Sequence, residues 1–113
     1  MAATPTSNSS GSQTCTIGTE HTLATITAAG IYVGVLDVSA LADGATPDIL
    51  EIRWYSKARS GDTERQCKVM TLTGGQGEPE VQTLPWATDC HWKLTIKQVQ
   101  GTGRAIIWNA LAL

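Results

Sequence analysis

The stretch from Asp48 to Thr73 constrains this chain most. In DILEIRWYSKARSGDTERQCKVMTLT, Leu50, Ile52 and Trp54 fall at one parity and Glu51, Arg53 and Lys57 at the other. Successive side chains of a strand point to opposite faces, so this alternation predicts a strand with one face buried and one wet. Ser60-Gly61-Asp62 supplies turn chemistry, and Cys67, Val69 and Met70 resume an extended apolar segment. The whole reads as a long β-hairpin.

The rest of the chain repeats that theme. His21–Thr27 predicts a strand that breaks at Ala28-Ala29-Gly30. Ile31–Val38 (IYVGVLDV) is apolar at both parities, which suits a strand that is central or interfacial. Ser39–Pro47 is a connection in which Ser39 is placed to cap one helical turn closed by Gly44. Gly74–Pro79 is a loop, Val81–Leu84 a short strand stopped by Pro85, and Trp92–Lys97 a second clean alternation with Trp92, Leu94 and Ile96 inward. Gly101-Thr102-Gly103 turns the chain into a last strand, RAIIWNALAL, apolar to its end. About seven strands and no helical periodicity predict an all-β fold, an antiparallel β-sandwich or jelly-roll-like barrel over residues 20–113. Residues 1–19, rich in Ser, Thr, Gly and Asn, read as a flexible polar arm. The apolar terminal strand reads as a sheet edge that needs covering, and oligomerisation is the economical cover.

Composition removes several functions. At 113 residues the chain suits one domain, and a net charge of -2 provides no basic field for a nucleic-acid backbone. No run approaches the roughly 20 apolar residues of a membrane-spanning helix. The opening MAATPTSNSSGSQT lacks a basic segment followed by an apolar one, so the expectation is manufacture in a cytoplasm without a secretory signal. Three widely spaced cysteines, Cys15, Cys67 and Cys90, suit free thiols better than a disulfide framework.

Residue types with chemical potential each have a plainer reading. Cys90 and His91, with Cys15, Cys67 and His21, are zinc-ligand types, but adjacent residues of a strand point apart and no CxxC turn is present. Nothing marks Cys90 as a low-pKa nucleophile served by His21 or His91. Glu78 with Glu80, and Asp43 with Asp48, are pairs of the kind glycosidases use, but Glu78 and Glu80 read as a solvated surface pair and neither pair shows the apolar pocket that a glycosidase acid needs. The glycines of 74–77 and 101–103 precede no helix and so make poor phosphate loops. Trp54, Trp92 and Trp108 share parity with Leu or Ile and are expected in the core, whereas Trp86, after Pro85, is expected to be exposed and suited to anchoring an interface. A carbohydrate-binding module is the alternative that four tryptophans raise. No constellation supports an enzyme, a metal or a cofactor.

Three segments, TLATITAAGIYVGVLDVSALADG, LEIRWYSKARSGDTER and LTIKQVQGTGRAIIWNALAL, together resemble the small virion proteins of tailed phages that decorate, or cement, the capsid. The resemblance spans roughly Thr22 to Leu113. It implies a non-enzymatic β-domain on the outer capsid surface, assembled in the host cytoplasm and commonly trimeric, that clamps neighbouring major capsid subunits. A tail or head–tail connector component is the nearest variant of this reading. The residues expected at partner interfaces are Thr14, Thr16 and Ile17 of the arm, Trp86, and Ala110, Leu111 and Leu113 of the last strand.

Overall fold

The computed structural model describes residues 4–75 and 77–113. Among the described residues nine strands are formed: β1 (Thr6–Thr14), β2 (Glu20–Ile26), β3 (Gly30–Asp37), β4 (Ile49–Ser56), β5 (Arg65–Thr73), β6 (Glu80–Gln82), β7 (Trp86–Thr88), β8 (Trp92–Gln100) and β9 (Ala105–Ala112). They make two antiparallel sheets packed as a sandwich. Sheet A has the order β1-β9-β3-β6, with β7 also on β3; sheet B has the order β2-β8-β4-β5. All-β, antiparallel and two-layered, the fold is the expected one.

Alternation decides the core. Leu50, Ile52 and Trp54 of β4 and Trp92, Leu94 and Ile96 of β8 are almost wholly buried, as their parity predicts. Sheet A adds Tyr32, Leu36, Ile106 and Ala110. Each buried aliphatic or aromatic side chain contributes about 1.5–3 kcal/mol. Gly34 faces the same interior: a Cβ there would lie 2.8 Å from Leu94 Cδ2.

Two strands go beyond the seven expected, and each has a physical cause. The polar segment expected to be a loose arm is strand β1 over Thr6–Thr14, paired from Thr6↔Ala112 to Thr14↔Ala105. Backbone hydrogen bonds do not require apolar side chains, so a Ser/Gly/Asn run can complete a sheet whose neighbour offers unpaired groups. As a result β9 lies inside sheet A, between β1 and β3, and is not the exposed edge that its sequence suggests. Trp108 of β9 covers Gly11 of β1, where a Cβ would lie 3.3 Å from the indole. The second addition follows from Pro85, which splits an edge segment into β6 and β7. Across the gap Thr83 takes both backbone groups of Gly34, through its own N–H and through Oγ1, each at 2.9 Å. Proline is tolerated there because the segment is an edge.

No helical turn follows Ser39. Its N–H donates to Asp37 Oδ1 at 2.9 Å, and Leu41 N–H donates to Val38 C=O at 3.0 Å, a single turn. Asp37, rather than Ser39, provides the capping oxygen.

One end of the sandwich is clasped by Asp48, 2% exposed. Its Oδ2 accepts from Ala42 N–H and Arg104 Nε, both at 2.7 Å, and Oδ1 accepts from Thr102 N–H at 2.9 Å. Its backbone bonds Ala42 C=O and Gly74 N–H. Three connections are thereby tied to one residue, two of them through its side chain. Gly101, at φ +96°, turns beneath it, and a Cβ there would sit 1.9 Å from Oδ1. Burial opposes ionisation of Asp48, but the Ala42 N–H, the Arg104 guanidinium and the Thr102 N–H outweigh it and hold the carboxyl below its usual range.

Two predictions follow from the clasp and from β1. A folded-state pKa below the unfolded one gives stability that is present above the usual carboxylate range, near pH 4, and lost as pH falls through the folded value. Asp48→Ala therefore costs about 3 kcal/mol in urea denaturation at pH 7, because Arg104 loses its partner, and Asp48→Asn shallows the acid limb of the stability curve. Removing residues 1–14 uncovers the β9 edge and Trp108; thermal denaturation should show a lower Tm, and light scattering a rise in self-association.

Candidate functional site

The sandwich leaves two outer faces, and they differ in kind. On sheet B the outward residues bond one another. Glu20 of β2 accepts from Tyr55 Oη at 2.5 Å and Thr95 Oγ1 at 2.6 Å, and Arg53 reaches Glu20 at 3.4 Å and Glu51 at 2.7 Å. Lys93 pairs with Glu64 at 2.7 Å and lies 4.5 Å over the Tyr55 ring, while His91 meets the other Glu64 oxygen. Burial works against the Glu20 and Glu64 charges. The Thr95 and Tyr55 hydroxyls with Arg53, and Lys93 with His91, overcome it and hold both carboxyls below the usual range. Burial and the Glu20 carboxylate together push the Tyr55 phenol up. This face is largely polar and internally paired, with Val69 and Val99 exposed beside the network.

The outer face of sheet A carries an apolar strip flanked by polar residues of β1 and β6. Because Tyr32, Gly34 and Leu36 turn inward, Ile31, Val33, Val35 and Asp37 turn outward. Because Ile106 and Ala110 turn inward, Ile107, Asn109 and Leu111 turn outward. The register sets these in rows: Val33↔Leu111, Val35↔Asn109 and Asp37↔Ile107, with Leu113 N–H on Ile31 C=O at 2.8 Å. Ile31, Leu113 and Ile107 are 42%, 41% and 58% exposed, so covering each is worth about 1 kcal/mol. Val33, at the centre of the strip, is buried yet stands outside the interior core cluster. Beyond Val35 the face dips into a depression of about 350 Å³ bordered by Ser10, Asp37, Glu80, Ile107 and Asn109.

The residues expected at interfaces divide between places. Leu111 and Leu113 belong to the apolar strip. Ala110 is fully buried and faces the opposite way, into the core. Thr14 pairs with Ala105, at the other end of β9 from Leu111, and strand rise puts it about 20 Å from the strip. Thr16 and Ile17 are exposed in the link from β1 to β2. Trp86 is half-buried rather than exposed: it meets Trp54 edge-on at 6.2 Å between ring centroids, and its Nε1 donates to Ser56 Oγ at 3.3 Å. Sequence reading missed Ile31, Val33, Val35 and Ile107. Their signal was the double parity of IYVGVLDV and the adjacent Ile106-Ile107.

The chemical candidates are dispersed or engaged. All three cysteines are free thiols. Burial pushes the Cys15 thiol up, and burial with the neighbouring Asp89 pushes Cys90 up, the opposite of what activates a nucleophile. His21 Nε2 accepts from Thr16 N–H, and His91 is taken by Glu64. Among the described residues no three His, Cys, Asp or Glu side chains are grouped to hold a metal ion. Asp48 is spent on the clasp. Trp54 and Trp92 are buried, and Trp108 is half-buried against Gly11, so the four indoles form no common stacking surface. Compared with family models, curated proteins and solved structures, the chain matches none.

The two faces of β9 provide a direct check. Ile106→Ala should cost about 2–5 kcal/mol in urea denaturation, as a core truncation does. The adjacent Ile107→Ala should change stability by no more than about 0.5 kcal/mol, as an exposed position does.

Proposed function

We propose that this chain is a virion structural protein that decorates the outer surface of a tailed-phage capsid and stabilises the shell by bridging neighbouring major capsid subunits. The observation that carries this reading is the apolar strip of Ile31, Leu111 and Leu113 around the covered Val33, on a sandwich whose opposite face ties most of its charges into its own ion pairs. A body with one adhesive face and one solvated face suits attachment to a larger surface. The choice of a phage head as that surface rests on the resemblance over Thr22–Leu113, whose family members are commonly trimeric.

The physical basis of cementing is mass action. A protein that binds the assembled lattice and not its separated subunits favours the lattice in proportion to its occupancy. Repetition over many sites turns modest individual affinities into strong resistance to opening. The half-exposed residues of the strip suit such a role, because each leaves apolar area to be covered on docking while the rest of the fold keeps its own core.

Heads assembled with and without this chain provide the test. Electron micrographs should show added density on the outer head surface of the decorated particles, and their genome should escape at a higher temperature. Density confined to the tail or connector, or equal release temperatures, would contradict the proposal.

A further inference from the structure

The apolar strip ends at an unusual pair. Asp37 of β3 and Glu80 of β6 are directly paired across the ladder. Residues paired in this way share a sheet face, and like charges placed opposite one another destabilise it. Asp37 Oδ1 accepts the Ser39 N–H at 2.9 Å. Among the described residues neither Asp37 nor Glu80 forms an ion pair, in contrast to Glu20, Glu51, Glu64 and Asp48. No cation is near in the sheet either: β1, β3, β6, β7 and β9 contain no Lys or Arg, whereas β4, β5 and β8 carry Arg53, Arg65, Lys68, Lys93 and Lys97.

We infer that the outer face of sheet A docks a protein surface that presents apolar side chains to Ile31, Leu111 and Leu113 and a lysine or arginine to the Asp37–Glu80 pair. The inference rests on the shell-binding reading and names the chemistry of the surface met there. The spacing is set by the strand: Val33 and Asp37 point the same way four residues apart, about 13 Å. An extended partner segment matches it with an apolar residue and a cation four positions apart. Arginine fits best, since its planar fork can give parallel hydrogen bonds to carboxylate oxygens. The same charge pattern argues against other occupants. A second copy offering this face brings two more carboxylates and no cation, and a nucleic-acid backbone or anionic bilayer is repelled.

The test uses full-length chain and heads assembled without it. Binding of the unaltered protein, of Asp37→Asn/Glu80→Gln and of Leu111→Ser is measured in 50 mM and 500 mM NaCl, with urea denaturation of each to show that it is folded. The unaltered chain should bind about tenfold or more tightly at low salt than at high salt. The doubly neutral variant should lose about tenfold at low salt, lose most of the salt dependence, and remain folded. Leu111→Ser should bind weakly at both salt concentrations. If the doubly neutral variant binds as the parent does, the cation is wrong and the shell reading stands; if the parent binds no heads, both fall.

Discussion

A strand in a two-layer sandwich gives only one of its faces to the core between the sheets, and the rest of this molecule follows from how β3 meets that limit. Tyr32, Gly34 and Leu36 enter the core, which obliges Ile31, Val33 and Val35 to face away from it. The neighbouring β9 has the same divided character, with Ile106 and Ala110 inside and Ile107 and Leu111 outside. Two such strands side by side create an apolar outer surface that no third layer covers. Sheet B meets the limit differently, filling its outward positions with Glu20, Arg53, Tyr55, Lys93 and Thr95, which satisfy one another. The functional reading is a reading of this asymmetry.

Much of the fold was legible because parity is a local property. Leu50, Ile52, Trp54, Trp92, Leu94 and Ile96 identify their strands and their inward faces without help from the rest of the chain. Strand β1 was not legible, since TSNSSGSQT has no alternation of polarity and becomes a strand only because β9 offers it a row of backbone partners. The same event turned β9 from an apparent edge into an interior strand, so one missed pairing altered the reading of both termini. Trp86 shows the complementary error: Pro85 correctly marked a break, but the break is three residues wide and the chain returns to β3 with the indole resting on Trp54.

The candidate surface was half legible. Leu111 and Leu113 were singled out from the apolar end of the chain, and the double parity of IYVGVLDV marked its strand as central or interfacial. Ala110 was grouped with them by adjacency, although adjacency in a strand means opposite faces. The Asp37–Glu80 opposition and the Asp48 clasp depend on contacts between segments dozens of residues apart, and no local pattern announces either. Sequence proximity suggested Glu78 with Glu80 and Asp43 with Asp48; the sheet instead gives Glu80 to Asp37, and the loops give Asp48 to Arg104.

The central claim is that one face of this sandwich, the outer side of sheet A, meets the shell. Hydroxyl-radical footprinting of the free chain and of the chain on heads reads this directly, residue by residue. The account predicts strong protection of Ile31, Leu111 and Leu113 on docking, with Tyr55 and Lys93 as reactive as before. Protection of Tyr55 and Lys93 with Ile31 and Leu111 unchanged would contradict it.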